Sequence, residues 1–197
     1  MEPILKDLSL KSASLISLVL IGSTAIVLWL MNRVVYCTCG YIKLWQSNSW
    51  SSENSQHLLD WYTLSHVIHG FIFYWLLQRF VPKWSIGTKM LMALMIEIVW
   101  EIWENTEFVI SRYREVTASL HYDGDSIVNS VSDILACLVG FWLARTLPWW
   151  QAMLVVIIME IGAALIIRDN LTLNVLMLIY PWQLIKNWQL ELAPPLP

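Results

Sequence analysis

Residues 97–105 read Glu97-Ile98-Val99-Trp100-Glu101-Ile102-Trp103-Glu104-Asn105, inside a stretch that is otherwise apolar. At 3.6 residues per helical turn, Glu97, Glu101 and Glu104 fall on one face with Asn105 beside them. An ionised carboxylate inside a bilayer costs roughly 2.5–3.5 kcal/mol even on the lenient insertion scale. Three on one face need an inward-looking environment, partners or a cation. Candidate partners are His66 and His69, and the four-spaced set Asp125, Asn129 and Asp133. Imidazole with carboxylates is a usual ligand set for Zn²⁺, Mn²⁺ or Fe, and facing helices that each lend a Glu or a His build such sites in bundles. In that chemistry His66, His69, Glu97 and Glu104 hold a divalent metal. Glu101, Asp125 and Asp133 serve as acid, base or further ligand. Asn105, Arg112, Arg114 and Asn129 meet a substrate, arginine matching phosphate geometry. A proton network between the histidines and Glu101 or Glu104 is the other chemical reading.

Each of these residues alone reads more simply. A lone His or Glu is an interhelical hydrogen bond, Arg112 and Arg114 are a solvated loop edge, and Gly70 is a close-packing position. Asp123-Gly124-Asp125 is a turn followed by a helix N-cap on Asp125. What favours a site is the shared depth of the set just beneath one membrane face.

The elements that must position these groups are set by composition. Of 197 residues 57% are hydrophobic and 14% charged, with mean hydropathy +0.56, against about 25% charged in a soluble domain. The net charge of −3 and the absence of a basic cluster exclude nucleic acid as a partner. The chain is predicted to be one all-α domain, 1–197: a polytopic membrane helix bundle of five spanning helices plus a short sixth apolar segment. The spans are 12–31, 61–80, 87–110, 126–147 and 149–167, each long enough for a bilayer core. The segment 171–185 is short and contains Pro181; length leaves open whether it spans. The segments 33–60 and 111–125 read as polar loops, and the proline-rich tail 193–197 cannot be helical.

Lysine and arginine set the orientation. With the N-terminus cytoplasmic, inner segments hold Lys6, Lys11, Arg79, Lys83, Lys89, Arg145 and Lys186, and outer ones Arg33, Lys43, Arg112, Arg114 and Arg168. Cys37 and Cys39 are too close in sequence for an easy mutual disulfide. With His57 they could form a second metal site.

The motifs Cys37-Thr38-Cys39-Gly40, Ser65-His66-Val67-Ile68-His69-Gly70-Phe71, Trp100-Glu101-Ile102-Trp103-Glu104-Asn105, Gly124-Asp125-Ser126-Ile127-Val128-Asn129-Ser130 and Ile167-Arg168-Asp169-Asn170-Leu171 resemble a family of small multi-pass inner-membrane proteins, mostly alphaproteobacterial, of unknown function. The resemblance runs from about Cys37 to Trp188. It implies a bacterial inner (plasma) membrane and supplies no activity. A looser similarity is to VanZ-like membrane proteins, which are linked to glycopeptide resistance. It is carried by Asp60 and His66, then Glu97, Glu101 and Glu104, then Asp125, Asn129 and Asp133. Thr63-Leu64 stands where those proteins often carry Asp-Lys.

The expected function is binding of a divalent metal such as Zn or Mn, or of an anionic lipid or cell-envelope precursor headgroup, at an outer-leaflet His/Glu/Asp site. Any reaction there is metal-assisted hydrolysis or transfer. The alternatives are a non-enzymatic membrane scaffold whose polar layer only fixes helix packing, and a transporter or channel.

Overall fold

The computed structural model describes residues 6–117 and 122–192. The tail 193–197, expected to be non-helical, and residues 118–121 of the 111–125 segment lie outside them. The described chain is all-α apart from a parallel pair of two-residue strands, β1 (Trp45–Gln46) and β2 (Leu59–Asp60). Its eight helices are α1 (Leu10–Leu30), α2 (Thr63–Phe80), α3 (Ile86–Glu104), α4 (Glu107–Val116), α5 (Ile127–Thr146), α6 (Trp149–Ile167), α7 (Leu171–Ile179) and α8 (Gln183–Leu190). Four of them begin at a hydroxyl cap. Ser9, Ser85, Thr106 and Ser126 each accept from the backbone N–H three residues on, which satisfies an otherwise orphan donor.

Three helices, α1, α5 and α6, are long and apolar enough to cross a membrane. α2 and α3 fall outside that set: α2 carries His66, His69, Gln78 and Arg79, and α3 carries Lys89, Glu97, Glu101 and Glu104. α5 is the central one, 56% buried against 22% for α1 and 17% for α6. It packs most closely on α2. Two glycines make that approach possible. A Cβ on Gly140 would stand 1.9 Å from the Val67 carbonyl oxygen, and one on Gly70 2.0 Å from the Cys137 carbonyl oxygen. Ala13, Leu77, Met90, Leu94, Ile134 and Phe141 fill the core beside this contact.

The structure corrects several expectations. The stretch 87–110 is not one helix: α3 stops at Glu104, Asn105 is its C-cap, and Thr106 caps a new helix. The polar loop 111–125 therefore begins as the last part of α4. That helix is amphipathic and buries Val109, Ile110, Tyr113 and Val116 on one side. The segment 171–185 is split between α7, of 9 residues, and α8, of 8. At 1.5 Å per residue α7 is about 13 Å long, under half of a hydrocarbon core of about 30 Å. It does not span.

Beyond α6 the chain instead folds back over the end of the bundle where α3 finishes and α5 starts. Arg168, left-handed at φ 54°, turns the chain, and the Glu160 carboxylate accepts from the N–H groups of Leu171 and Thr172 at 3.0 and 3.1 Å. Arg168 Nη1 donates to the Trp188 carbonyl, Arg112 to the Leu178 carbonyl, and Lys186 to the Glu115 carbonyl. Lys186 thus belongs to the same side as Arg112 and Arg168, opposite to the sequence-based placement. The basic residues then divide evenly between the two ends, and the charge bias disappears.

Cys37 and Cys39 form a disulfide, contrary to expectation. The turn closed by the Gly40 N–H on the Cys37 carbonyl at 3.1 Å, with Gly40 at φ +88°, brings their Cα atoms to 5.1 Å. That lies inside the ordinary disulfide range.

Candidate functional site

α2, α3 and α5 converge at one end of the bundle, and each contributes to a single buried cluster. From α2 come His66, 6% exposed, and His69; from α3 come Glu97 and Glu101, both 0% exposed, with Glu104; from α5 comes Asp133, 3% exposed. Glu97 takes both imidazoles. His66 Nδ1 lies 2.6 Å from Glu97 Oε1, and His69 Nδ1 lies 3.0 Å from Glu97 Oε2. His66 Nδ1 is also 3.3 Å from Glu101 Oε1, outside hydrogen-bond geometry, and His66 Nε2 is 3.9 Å from Asp133 Oδ2. Two overlapping triads offer ligand atoms within 4.8 Å of one another: His66, His69 and Glu97, and His66, Glu101 and Glu104.

The cluster holds four acids against two imidazoles. Both oxygens of Glu101, Glu104 Oε2 and Asp133 Oδ1 are buried without a hydrogen-bond partner among the described residues. Buried polar atoms of this kind normally have a partner, and an unpaired buried charge costs several kcal/mol. The donor set fits a divalent cation.

The other sequence candidates sit around this centre in different roles. Asp125 is not the N-cap of α5; Ser126 is. The Asp125 carboxylate instead accepts from Asn105 Nδ2 and from the Tyr122 hydroxyl, both at 3.0 Å, while its N–H donates to Asn105 Oδ1 at 2.8 Å. Asn105 Nδ2 also reaches Ser130 Oγ at 3.3 Å. Gly124, at φ +87°, permits this turn: a Cβ there would meet Arg33 Nη1 at 2.5 Å. Asn129 donates to the His57 carbonyl at 3.0 Å and so anchors the 33–60 segment. Arg112 is engaged by Leu178, and Arg114 by the Tyr122 carbonyl and the Asp123 carboxylate. The structure therefore gathers His66, His69, Glu97, Glu101, Glu104 and Asp133, sets Asp125 and Asn105 together beside them, and employs Asn129, Arg112 and Arg114 elsewhere.

Sequence reasoning missed the tyrosines. The Tyr113 hydroxyl donates to Asn174 Oδ1 at 2.7 Å and lies within reach of Glu104; Tyr122 serves Asp125; Tyr62 donates to Asp169 Oδ2 at 3.1 Å. The apolar spacing of Val109, Ile110, Tyr113 and Val116 was the available signal for Tyr113.

Asp169, outside the long helices, carries a testable consequence. Burial raises its carboxyl to about 6 from 3.8, against the hydrogen bonds from Asn170 N–H and Tyr62 that pull it down. The folded chain then holds more protons here than the unfolded one. This contribution to stability is present below the unfolded value and is lost as pH rises through about 6. Asp169→Asn removes the titration, so its melting temperature relative to the parent should rise between pH 4 and pH 7, roughly the window set by the two protonation midpoints. A difference that stays flat across that window would contradict the assignment.

These features define a small all-α protein with three membrane-length apolar helices and a buried histidine–carboxylate cluster at one end of the bundle. The chain belongs to the family described as "Protein of unknown function (DUF2585)", whose model matches residues 28–191, every residue of the cluster included. Among relatives called "UPF0314 protein", the one from Brucella anthropi is 50% identical over 176 residues, covering 89% of each chain. That from Paracoccus denitrificans is 50% identical over 167 residues, 84% of this chain and 86% of its own. One from Rhizobium meliloti is 54% identical over 163 residues, 81% of each. No solved structure matches the chain.

Proposed function

We propose that this is a five-span protein of the bacterial inner membrane that binds a divalent cation, Zn²⁺ or Mn²⁺ in character, at an outer-leaflet His/Glu/Asp centre. Through that cation it binds the anionic headgroup of a lipid or lipid-linked envelope precursor. The observation that carries this reading is the set of partnerless buried carboxylate oxygens on Glu101, Glu104 and Asp133, three acids grouped around His66. With the protons of both imidazoles on Nδ1, shared with Glu97, each Nε2 keeps its lone pair. A carboxylate that fixes ligand histidines in this way is the usual outer support of a metal site. Glu97 is thus better used as the orienting group than as a ligand. His66, Glu101 and Glu104 hold the ion, His69 adds a donor, and Asp133 is the further ligand or base. A bound cation lowers the pKa of its water and polarises a phosphoryl oxygen, which is the chemistry of hydrolysis or transfer on a headgroup.

Access favours a lipid over a dissolved ligand. His57, Asp60, Asn105, Asp125, Ser126 and Asn129 are all buried at the polar end of the bundle. His69 retains side-chain exposure, 13%, stacked on Phe73 and edge-on to Trp100, which in turn meets Trp103, 47% exposed. That aromatic flank lies on the apolar side, where Val99 and Met95 are also exposed. The VanZ-like resemblance points the same way and rests on the sequence motifs alone. With the charge bias gone, the cytoplasmic N-terminus rests on the basic Arg79–Lys83 connection and on the disulfide, a bond favoured in an oxidising compartment, which supports an outer position for the 33–60 segment.

The test is metal content by mass spectrometry on detergent-purified protein, with His66→Ala and Glu104→Ala alongside, followed by binding to vesicles with and without anionic lipid. The parent is expected to retain a divalent metal and both variants to lose it. Metal-free parent protein, with vesicle binding unchanged in both variants, would remove the reading. The rival is a scaffold whose polar layer only locks helices, favoured by the 2.6 Å His66–Glu97 contact.

A further inference from the structure

We propose that Cys37, Cys39 and His57 form a second, redox-gated metal site, which takes a thiophilic divalent cation such as Zn²⁺ once the Cys37–Cys39 bond is reduced. The ligand atoms of the three residues lie within 4.8 Å of one another. His57 is fully buried and Cys37 is 2% exposed. His57 Nδ1 accepts the Lys43 N–H at 3.2 Å, which leaves this nitrogen unprotonated, and a cation bound there displaces that hydrogen bond; Nε2 faces Glu53 Oε2, 3.1 Å away. A carboxylate behind the distal nitrogen is the support that metal-ligating imidazoles use. Lys43 Nζ holds the same Glu53 oxygen at 2.6 Å. The Tyr41 ring stacks on His57 at 5.6 Å and fixes its plane.

Opening the disulfide does not let the ligands drift apart. The residues ahead of Cys37 are pinned to α5, because the Ile127 and Val128 N–H groups donate to the Val34 and Val35 carbonyls at 2.9 and 3.0 Å. The residues around His57 are pinned to the same helix end: Ser126 N–H donates to the Ser55 carbonyl at 2.9 Å and Asn129 Nδ2 to the His57 carbonyl at 3.0 Å. Two thiolates and an imidazole on one frame make a Cys₂His set with a position left for water, a common Zn²⁺ environment. The chemistry balances. A dithiol reductant gives two electrons and two protons to the Cys37–Cys39 bond and leaves as its own disulfide; binding of the cation then expels the two thiol protons. Oxidation reverses the sequence and releases the metal. The His66 cluster borders the buried Cys137 thiol, which lies beside Glu97, so loss of the band in Cys39→Ser, which keeps Cys137, is what separates the two sites.

The experiment uses the full chain in detergent, reduced with dithiothreitol, desalted without oxygen and titrated with Co²⁺. Reduced protein is expected to show a sulfur-to-cobalt charge-transfer band in the near ultraviolet, saturating at one ion per chain and abolished by Zn²⁺. Oxidised protein, Cys39→Ser, and reduced parent blocked with iodoacetamide are expected to lack it. Glu101→Gln keeps it, which separates this site from the first. His57→Gln is expected to weaken cobalt binding at least tenfold. Three results would each overturn the proposal: no band in the reduced parent, a band that survives Cys39→Ser, or unchanged affinity in a folded His57→Gln.

Discussion

Gly140→Ala is expected to leave little folded protein in detergent, and what folds should melt far below the parent. The added Cβ would sit 1.9 Å from the Val67 carbonyl oxygen and 2.8 Å from its carbon. Those atoms are α2 backbone and cannot rotate away. Inserting a methyl into a packed core costs about 1–3 kcal/mol when side chains can adjust; here a whole helix must move, so the cost lies at or above the top of that range. α2 carries His66 and His69, so any fraction that folds should also lose retained metal. Gly162→Ala is the control. Nothing lies within 4 Å of the Cβ position of Gly162 in α6, and alanine there gains up to about 1 kcal/mol of helix preference. Thermal melting followed by tryptophan fluorescence reads both. A Gly140→Ala protein that melts with the parent would mean that α2 and α5 are further apart than described.

The second large effect separates a metal centre from an architectural polar layer. Glu101→Gln is expected to lower affinity for the divalent cation on the order of a hundredfold or more, since even supporting residues of metal sites cost 10–100-fold. In protein stripped with a chelator, the same substitution should raise the melting temperature. Both Glu101 oxygens are buried and partnerless, and a permanently neutral isostere removes the cost of keeping an acid there, whether as an uncompensated carboxylate or as one that must take up a proton. A purely structural Glu101 predicts the opposite sign: the variant melts lower, and added metal changes neither protein. Titration of stripped parent and variant with Zn²⁺, followed by melting, gives both readings from one sample.

The helices were largely legible in the sequence because apolar runs end where caps and prolines stand. The expected limits 149–167 coincide with α6, and 126–147 and 12–31 differ from α5 and α1 by a residue or two. The third run was read past its end because Phe108, Val109 and Ile110 continue the apolar pattern beyond Thr106, whose hydroxyl cap is a stronger signal than hydropathy there. The convergence of His66, Glu101, Glu104 and Asp133 followed from counting turns on α2, α3 and α5, whose ends must lie on one side. The assignment of Asp125 to a helix cap failed because the Ile127 and Val128 N–H groups it would have taken go to the Val34 and Val35 carbonyls, and Ser126 caps Asn129. Nothing local in the sequence says that Lys186 reaches Glu115 or that Glu160 tethers α7. Such contacts depend on how the chain folds back after Arg168, and no periodicity records that.

The carbonyls that saturate the first N–H groups of α5 come from residues 34, 35 and 55, some seventy to ninety positions earlier in the chain. During synthesis the 33–60 segment therefore emerges long before the helix that receives it. Until α5 arrives, its cysteines stand open to whatever thiol chemistry the compartment supplies. The order of translation thus leaves Cys37 and Cys39 free to react with each other before the polar end of the bundle shuts over His57.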